Sequence, residues 1–123
     1  MIRLTASSFV VAVVAAALFL MPALATSQKT TAIKGEVGPG FKIEVEKGDK
    51  DLKKTKAGMY RIHVEDKSSI HNFHLIGPGV NKKTSVGFKG ETNWTIRLKP
   101  GRYTYQCDPH ASSGMKGHFT VTK

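Results

Sequence analysis

Residues 93–107 read NWTIRLKPGRYTYQC. Trp94, Ile96 and Leu98 stand at every second position between Asn93, Thr95, Arg97 and Lys99, and after Pro100-Gly101 the residues Tyr103, Tyr105 and Cys107 resume the alternation. A period of two marks a strand with one buried face, because successive side chains leave opposite sides of the pleat. A proline followed by a glycine favours a turn over a continued ladder. The segment predicts two strands joined by a turn, with the chain's one cysteine at the inward-facing end of the second.

The same pattern recurs outward from this segment. Phe41, Ile43 and Val45 alternate with Lys42, Glu44 and Glu46, and Tyr60, Ile62 and Val64 alternate with Arg61, His63 and Glu65. Turn residues separate the runs at Gly38-Pro39-Gly40 and Gly77-Pro78-Gly79. Helical periodicity is almost absent, so the expectation is an all-β, antiparallel β-sandwich. Two stretches interrupt the strands: residues 47–58, KGDKDLKKTKAG, read as a solvated loop or a short surface turn, and residues 79–90 read as a connecting loop. No internal repeat or second domain boundary is visible.

At the other end, Met1-Ile2-Arg3 precedes 13 apolar residues from Phe9 to Met21 and the small-residue stretch Ala23-Leu24-Ala25. This is the layout of a cleaved secretory signal, and the apolar run is short for a membrane span. The expected organisation is a signal peptide over 1–25 and one domain over 26–123, exported to the periplasm or secreted, and not membrane-spanning when mature. The 98 residues after the cut suffice for one core. They carry 18 basic and 9 acidic residues, formally +9. An exported protein seldom meets nucleic acid, so an acidic protein or an anionic membrane surface is the better match for that charge.

Chemistry concentrates in residues 105–117, YQCDPHASSGMKG, where Cys107, His110 and Met115 lie within nine residues. Thiolate and thioether are soft donors that favour copper, and a trigonal blue-copper site adds a second imidazole with a weak axial methionine. Ile70-His71-Asn72-Phe73-His74-Leu75 supplies two candidate imidazoles. Parity separates them: His71 shares a face with Phe73 and Leu75, whereas His74 shares the other face with Asn72 and Ile76. His71 is the better ligand, with His74 retained as the weaker candidate. Asn72 is placed to hydrogen-bond the Cys107 loop and hold the two segments in register. His63 and His118 read as solvent-facing residues of their strands. Two other readings of the donors remain. In one, Cys107 and His110 are a nucleophile and its base, which leaves Met115 and the HNFH segment without a role. In the other, Cys107, His110 and His71 bind zinc, against which the thioether argues.

HNFHL together with YQCDPHASSGMKG resembles the small blue copper proteins, the cupredoxins of the plastocyanin, pseudoazurin and amicyanin type. The Cys-x2-His-x4-Met spacing, with Pro109 before the histidine and Gly117 after the methionine, is similar to the plastocyanin and pseudoazurin ligand loop. HNFH is similar to the amicyanin strand whose ligand is the histidine directly before the asparagine. The resemblance implies a Greek-key cupredoxin sandwich holding one type 1 copper ion on His71, Cys107, His110 and Met115. The sequence departs from plastocyanin at Ile70, where that type carries proline, and its surface is basic where plant plastocyanin docks through acidic residues.

The function so implied is one-electron transfer by a soluble, monomeric carrier rather than catalysis. Its partner would be an acidic redox protein docking transiently near His110, within an apolar rim drawn from Pro109, Ala111, Pro78 and Phe41. The alternative is a copper-delivery or copper-storage protein using the same ligands. Only Met59 and Met115 among the methionines follow the expected cut, and delivery sites are characteristically exposed and methionine-rich.

Overall fold

The turn at Pro100-Gly101 carries the chain from one sheet to another rather than closing a hairpin. In this computed structural model, which describes residue 12, residues 21–27 and residues 29–123, ten strands follow one another. They are β1 (Thr31–Val37), β2 (Ile43–Lys47), β3 (Lys50–Asp51), β4 (Lys54–Lys56), β5 (Gly58–Asp66), β6 (His74–Gly77), β7 (Val80–Lys83), β8 (Gly90–Leu98), β9 (Gly101–Gln106) and β10 (Lys116–Thr122). They form two five-stranded sheets in the orders β3-β2-β1-β5-β8 and β4-β10-β9-β6-β7. Thus β8 and β9, adjacent in sequence, lie in different sheets. The Tyr103 hydroxyl locks the corner by accepting from the Lys99 amide at 2.9 Å and facing the Lys99 carbonyl at 3.0 Å. The expected signal peptide falls mostly outside the described residues, among which no helix is long and apolar enough to cross a membrane.

The sandwich is all-β as expected, but its sheets are mixed, not antiparallel. β1 runs parallel to β5, from Thr31 opposite Tyr60 to Val37 opposite Asp66, and β10 runs parallel to β4. Alternation fixes which side chains face inward and is silent on the direction of the neighbouring strand, so strand direction was not readable. Both stretches read as loops also contain strands: 47–58 holds β3 and β4 with Leu52 and Thr55 buried, and 79–90 opens with β7 and buries Val80. These are short edge strands, with too few residues to display a period. Phe41 lies before β2 and is 57 % exposed, outside the strand its parity suggested.

Inward residues of both sheets meet in one core. Aromatic rings dominate the second sheet's share: Tyr103 stacks on Phe119 with ring centroids 5.3 Å apart, and Phe73 lies parallel to Tyr105 at 6.4 Å. Glycines make room for these rings. A Cβ on Gly35 would stand 2.6 Å from the Phe73 ring, and one on Gly117 would meet the ring of Tyr105, its partner across β9 and β10. Because Tyr105 is buried and cannot swing aside, Gly117→Ala is expected to cost about 1–3 kcal/mol of overpacking. A urea-unfolding midpoint unchanged from wild type would refute that reading.

Candidate metal centre

One end of the sandwich gathers the donors. β9 ends at Gln106, and after Cys107 the six residues Asp108–Ser113 form a 3-10 turn with Cys107 as its N-cap and Pro109 in its first turn. Proline suits that position because its missing N–H would have had no helical partner. The turn stops at Gly114, whose φ of 97° lies in the left-handed region that a side chain disfavours. The chain then returns so that the Met115 amide donates to the His110 carbonyl at 3.2 Å and the Cys107 amide to the Met115 carbonyl at 3.0 Å. These bonds tie Cys107, His110 and Met115 into one small loop.

His71 arrives from the other side, just before β6. The Asp66 Oδ1 accepts from the Ser68 amide at 3.0 Å, the Ser68 hydroxyl accepts from the Ile70 amide at 3.3 Å, and a Cβ on Gly38 would lie 3.3 Å from His71 Cδ2. The imidazole is thus wedged between two turns and is buried. Burial raises the Asp66 carboxyl pKa, against the opposing pull of the Ser68 amide and His71.

The donor atoms converge. His71 Nδ1 and His110 Nδ1 are 3.1 Å apart, and Cys107 Sγ is 3.6 Å from the former and 3.4 Å from the latter. A three-coordinate centre with bonds of about 2.0 Å to nitrogen and 2.3 Å to sulfur needs edges of roughly 3.5 Å, so the triangle fits a metal ion. The atoms facing one another are all lone-pair donors once the thiol ionises, an arrangement that a shared cation relieves. Met115 is buried on the same loop and His110 is half-buried. A buried thiolate and thioether beside two imidazoles are the donor chemistry of copper.

Asn72 joins the two segments. Its Oδ1 accepts from the Asp108 amide at 2.7 Å, and its Nδ2 donates to Asp108 Oδ2 at 2.9 Å and to the Thr84 carbonyl at 3.2 Å. His74 stands outside the donor triangle: its Nδ1 lies 2.8 Å from Asp108 Oδ1 and its Nε2 lies 2.6 Å from Asn81 Oδ1. Gln106 Nε2 also donates to Asp108 Oδ1, at 2.9 Å. Desolvation alone would raise the Asp108 pKa, but the hydrogen bonds from Gln106, His74 and Asn72 together outweigh it and hold it down at about 2. Asp108 was not singled out from the sequence. An aspartate directly after the cysteine is a signal for a turn, but its three side-chain partners come from two other strands and a loop.

Around the site, Phe41 packs edge-on against His110 at a centroid distance of 5.3 Å and against His71 at 6.4 Å. Ile70, 61 % exposed, lies one residue before His71 and was missed as a rim residue. Pro78 does not belong to the rim. It lies in the β6–β7 turn against Gly101, at the end of the sandwich where β9 begins, because β9 runs its full length before reaching Cys107.

A two-sheet β fold closing around a His-Cys-His triangle defines a blue copper protein of the cupredoxin class. Residues 27–122 match the family of copper binding proteins described as plastocyanin/azurin, and the chain belongs to that family. Copper is its metal. Among solved structures, the fold is similar to the copper protein rusticyanin at 24 % identity and a TM-score of 0.58, covering 78 % of this chain and 80 % of that one. A rusticyanin variant matches at 27 % identity with a TM-score of 0.57, covering 78 % and 79 %. Auracyanin from Roseiflexus castenholzii matches at 20 % identity with a TM-score of 0.55, covering 78 % and 99 %.

Proposed function

We propose that this protein is an exported one-electron carrier that exchanges electrons with redox partners through the His110 end and catalyses no reaction of its own. The observation that carries this reading is the triangle of His71 Nδ1, Cys107 Sγ and His110 Nδ1, held at the ends of the adjacent strands β6, β9 and β10 of one sheet. Bound copper supplies the electron by alternating between Cu(I) and Cu(II). The chain's part is to keep the donors still while the charge changes, since ligand movement adds to the barrier. The Asn72–Asp108 bonds and the backbone closure between Cys107 and Met115 do this without depending on the metal.

Met115, buried on the same loop, would complete the donor set with its thioether, and His110, half-buried beside the exposed Phe41, would be the exit for the electron. All four donors would be consumed by holding the metal, so none of them is assigned to substrate chemistry in this reading. The delivery reading gains no support, because Cys107 at 0 % exposure and Met115 at 2 % are closed to an acceptor's thiols. Export rests on the leader pattern of residues 1–25, and a processed N-terminus near residue 26 in the mature protein tests it by mass.

The test of function is an optical titration of the purified protein with Cu(II), followed by reduction and reoxidation. An intense visible band saturating at one copper per chain, bleaching and returning over repeated cycles, is the expected result. A protein that loses its copper on each reduction would instead be a delivery or storage protein. Met115→Leu is expected to keep the band and raise the reduction potential, because removing an electron-pair donor disfavours the more positive ion. Loss of colour in that variant would show that the thioether is a structural necessity.

A further inference from the structure

The charge on this molecule is divided between its two sheets. The strands of the first sheet carry seven of the nine carboxylates, from Glu36 to Glu91; Asp49 is in the β2–β3 turn and Asp108 in the ligand turn. The strands of the second sheet carry six lysines and arginines and no carboxylate. On the first sheet carboxylates outnumber the cations, and some pair with them: Lys34 bridges Glu36 at 2.9 Å and Glu65 at 3.2 Å, and Lys67, just past β5, meets Glu36 at 2.7 Å. These hydrogen bonds raise the Lys34 pKa and lower that of Glu36. Among the described residues, the second sheet's only ion pair is His74 with Asp108.

Alternation and register put five of these cations on one face; Lys82 is the exception, opposite the buried Leu75 with its Nζ 5.8 Å from the centroid of the Trp94 ring. Lys54 is opposite Thr120, Thr120 opposite Arg102, and Lys116 opposite Gln106, which in turn is opposite His74; Lys83 is opposite His74 on the far side. Their inward neighbours Tyr103, Tyr105, Phe119 and Val121 are core, so the basic side chains point outward. A shallow cleft of about 290 Å³ on this face is lined by Arg102, Thr104, Lys116, Gly117 and His118, with cations on two sides. The row containing Lys116 and Gln106 adjoins the ligand turn, so a body resting on this face also reaches the end where His110 emerges.

We propose that the outer face of the second sheet is the docking surface for an acidic protein, whose carboxylates sit among Lys54, Arg102 and Lys116. The proposal rests on the electron-carrier reading and names the face its partner uses. Five strands spaced about 4.8 Å apart, with outward residues along some six positions, present roughly 400 Å², half the area each partner gives to a standard interface. Such a contact is set by charge and releases quickly, and it speeds encounter at low salt. An anionic membrane is the poorer match: adsorption draws on apolar burial as well as charge, and the large apolar side chain exposed on this face is Ile76, at 37 %.

The test uses the 15N-labelled full protein and a poly-glutamate peptide of about 30 residues, mapping amide shifts in NMR spectra. Shifts confined to β4, β9 and β10, with affinity falling at least tenfold in the Lys54→Glu, Arg102→Glu, Lys116→Glu triple variant, are expected. A triple variant of equal charge change on the first sheet, Lys50→Glu, Arg61→Glu, Arg97→Glu, should lose less than threefold. Shifts spread over both sheets, or equal losses in the two triples, would overturn the proposal. So would binding of phosphatidylcholine/phosphatidylserine vesicles through this face as tightly as the peptide. The mapping needs only the folded chain, while colour and redox cycling of the same sample report separately on the carrier reading.

Discussion

His71→Ala is expected to abolish the intense copper–thiolate band, while His74→Ala leaves it in place. The two imidazoles are three residues apart, yet one points its Nδ1 at the donor triangle, 3.6 Å from Cys107 Sγ, and the other points its Nδ1 at Asp108 Oδ1, 2.8 Å away. Removing a hydrogen-bonding partner of a metal ligand typically costs about 10–100-fold in metal affinity, and removing the ligand costs more. Copper binding by His71→Ala should therefore weaken by at least about a hundredfold, read by competition with a chelator and by loss of the visible band. His74→Ala should stay within roughly tenfold, because it removes one of three donors to Asp108 and none to the metal. The reverse pattern would mean that His74, not His71, is the ligand.

Asn72→Ala is expected to produce the largest stability loss outside the ligands. The side chain makes three hydrogen bonds and is almost fully buried, at 1 % exposure. Its truncation leaves the Asp108 amide and the Thr84 carbonyl without partners, at about 1–3 kcal/mol for each buried group, tempered by the partial exposure of Asp108. A net loss of about 2–3 kcal/mol would lower Tm by roughly 10–20 °C for a domain of this size. The loss should persist in the metal-free protein, since these bonds do not involve the metal. If Tm falls only in the copper-loaded form, Asn72 acts on the ligand set and not as a clamp between the two segments.

Much of the copper centre was legible because its donors are chemically rare and locally spaced. Cys107, His110 and Met115 sit on one short loop whose bonds are all local, so their proximity follows from chain length alone. Strand parity favoured His71 over His74, but residues 71–73 precede β6 and are all buried, Asn72 included, so it is the turn before β6 and not alternation that points His71 at Cys107 and His74 at Asp108. The network around Asp108 was legible only in part. Asn72 was expected to bond the Cys107 loop, but that Asp108 receives it, and that His74 and Gln106 join there, depends on β6 pairing with β9 in one register, which no local pattern encodes.

By itself the sequence determined an all-β chain, its inward and outward residues, and a copper-type donor set, because those properties depend on side-chain chemistry and on a period of two. The tertiary structure alone decided that β8 and β9 belong to different sheets, that β1 pairs in parallel with β5, and that Pro78 lies far from the metal end. It also decided where the charge went. A formal excess of basic residues is a property of composition, but a sheet whose strands hold no carboxylate arises only when distant strands, β4 and β10 among them, are brought side by side. Strand pairing is a long-range choice made by burial and backbone hydrogen bonding together, and residues 50 or more apart in the chain carry no local mark of it.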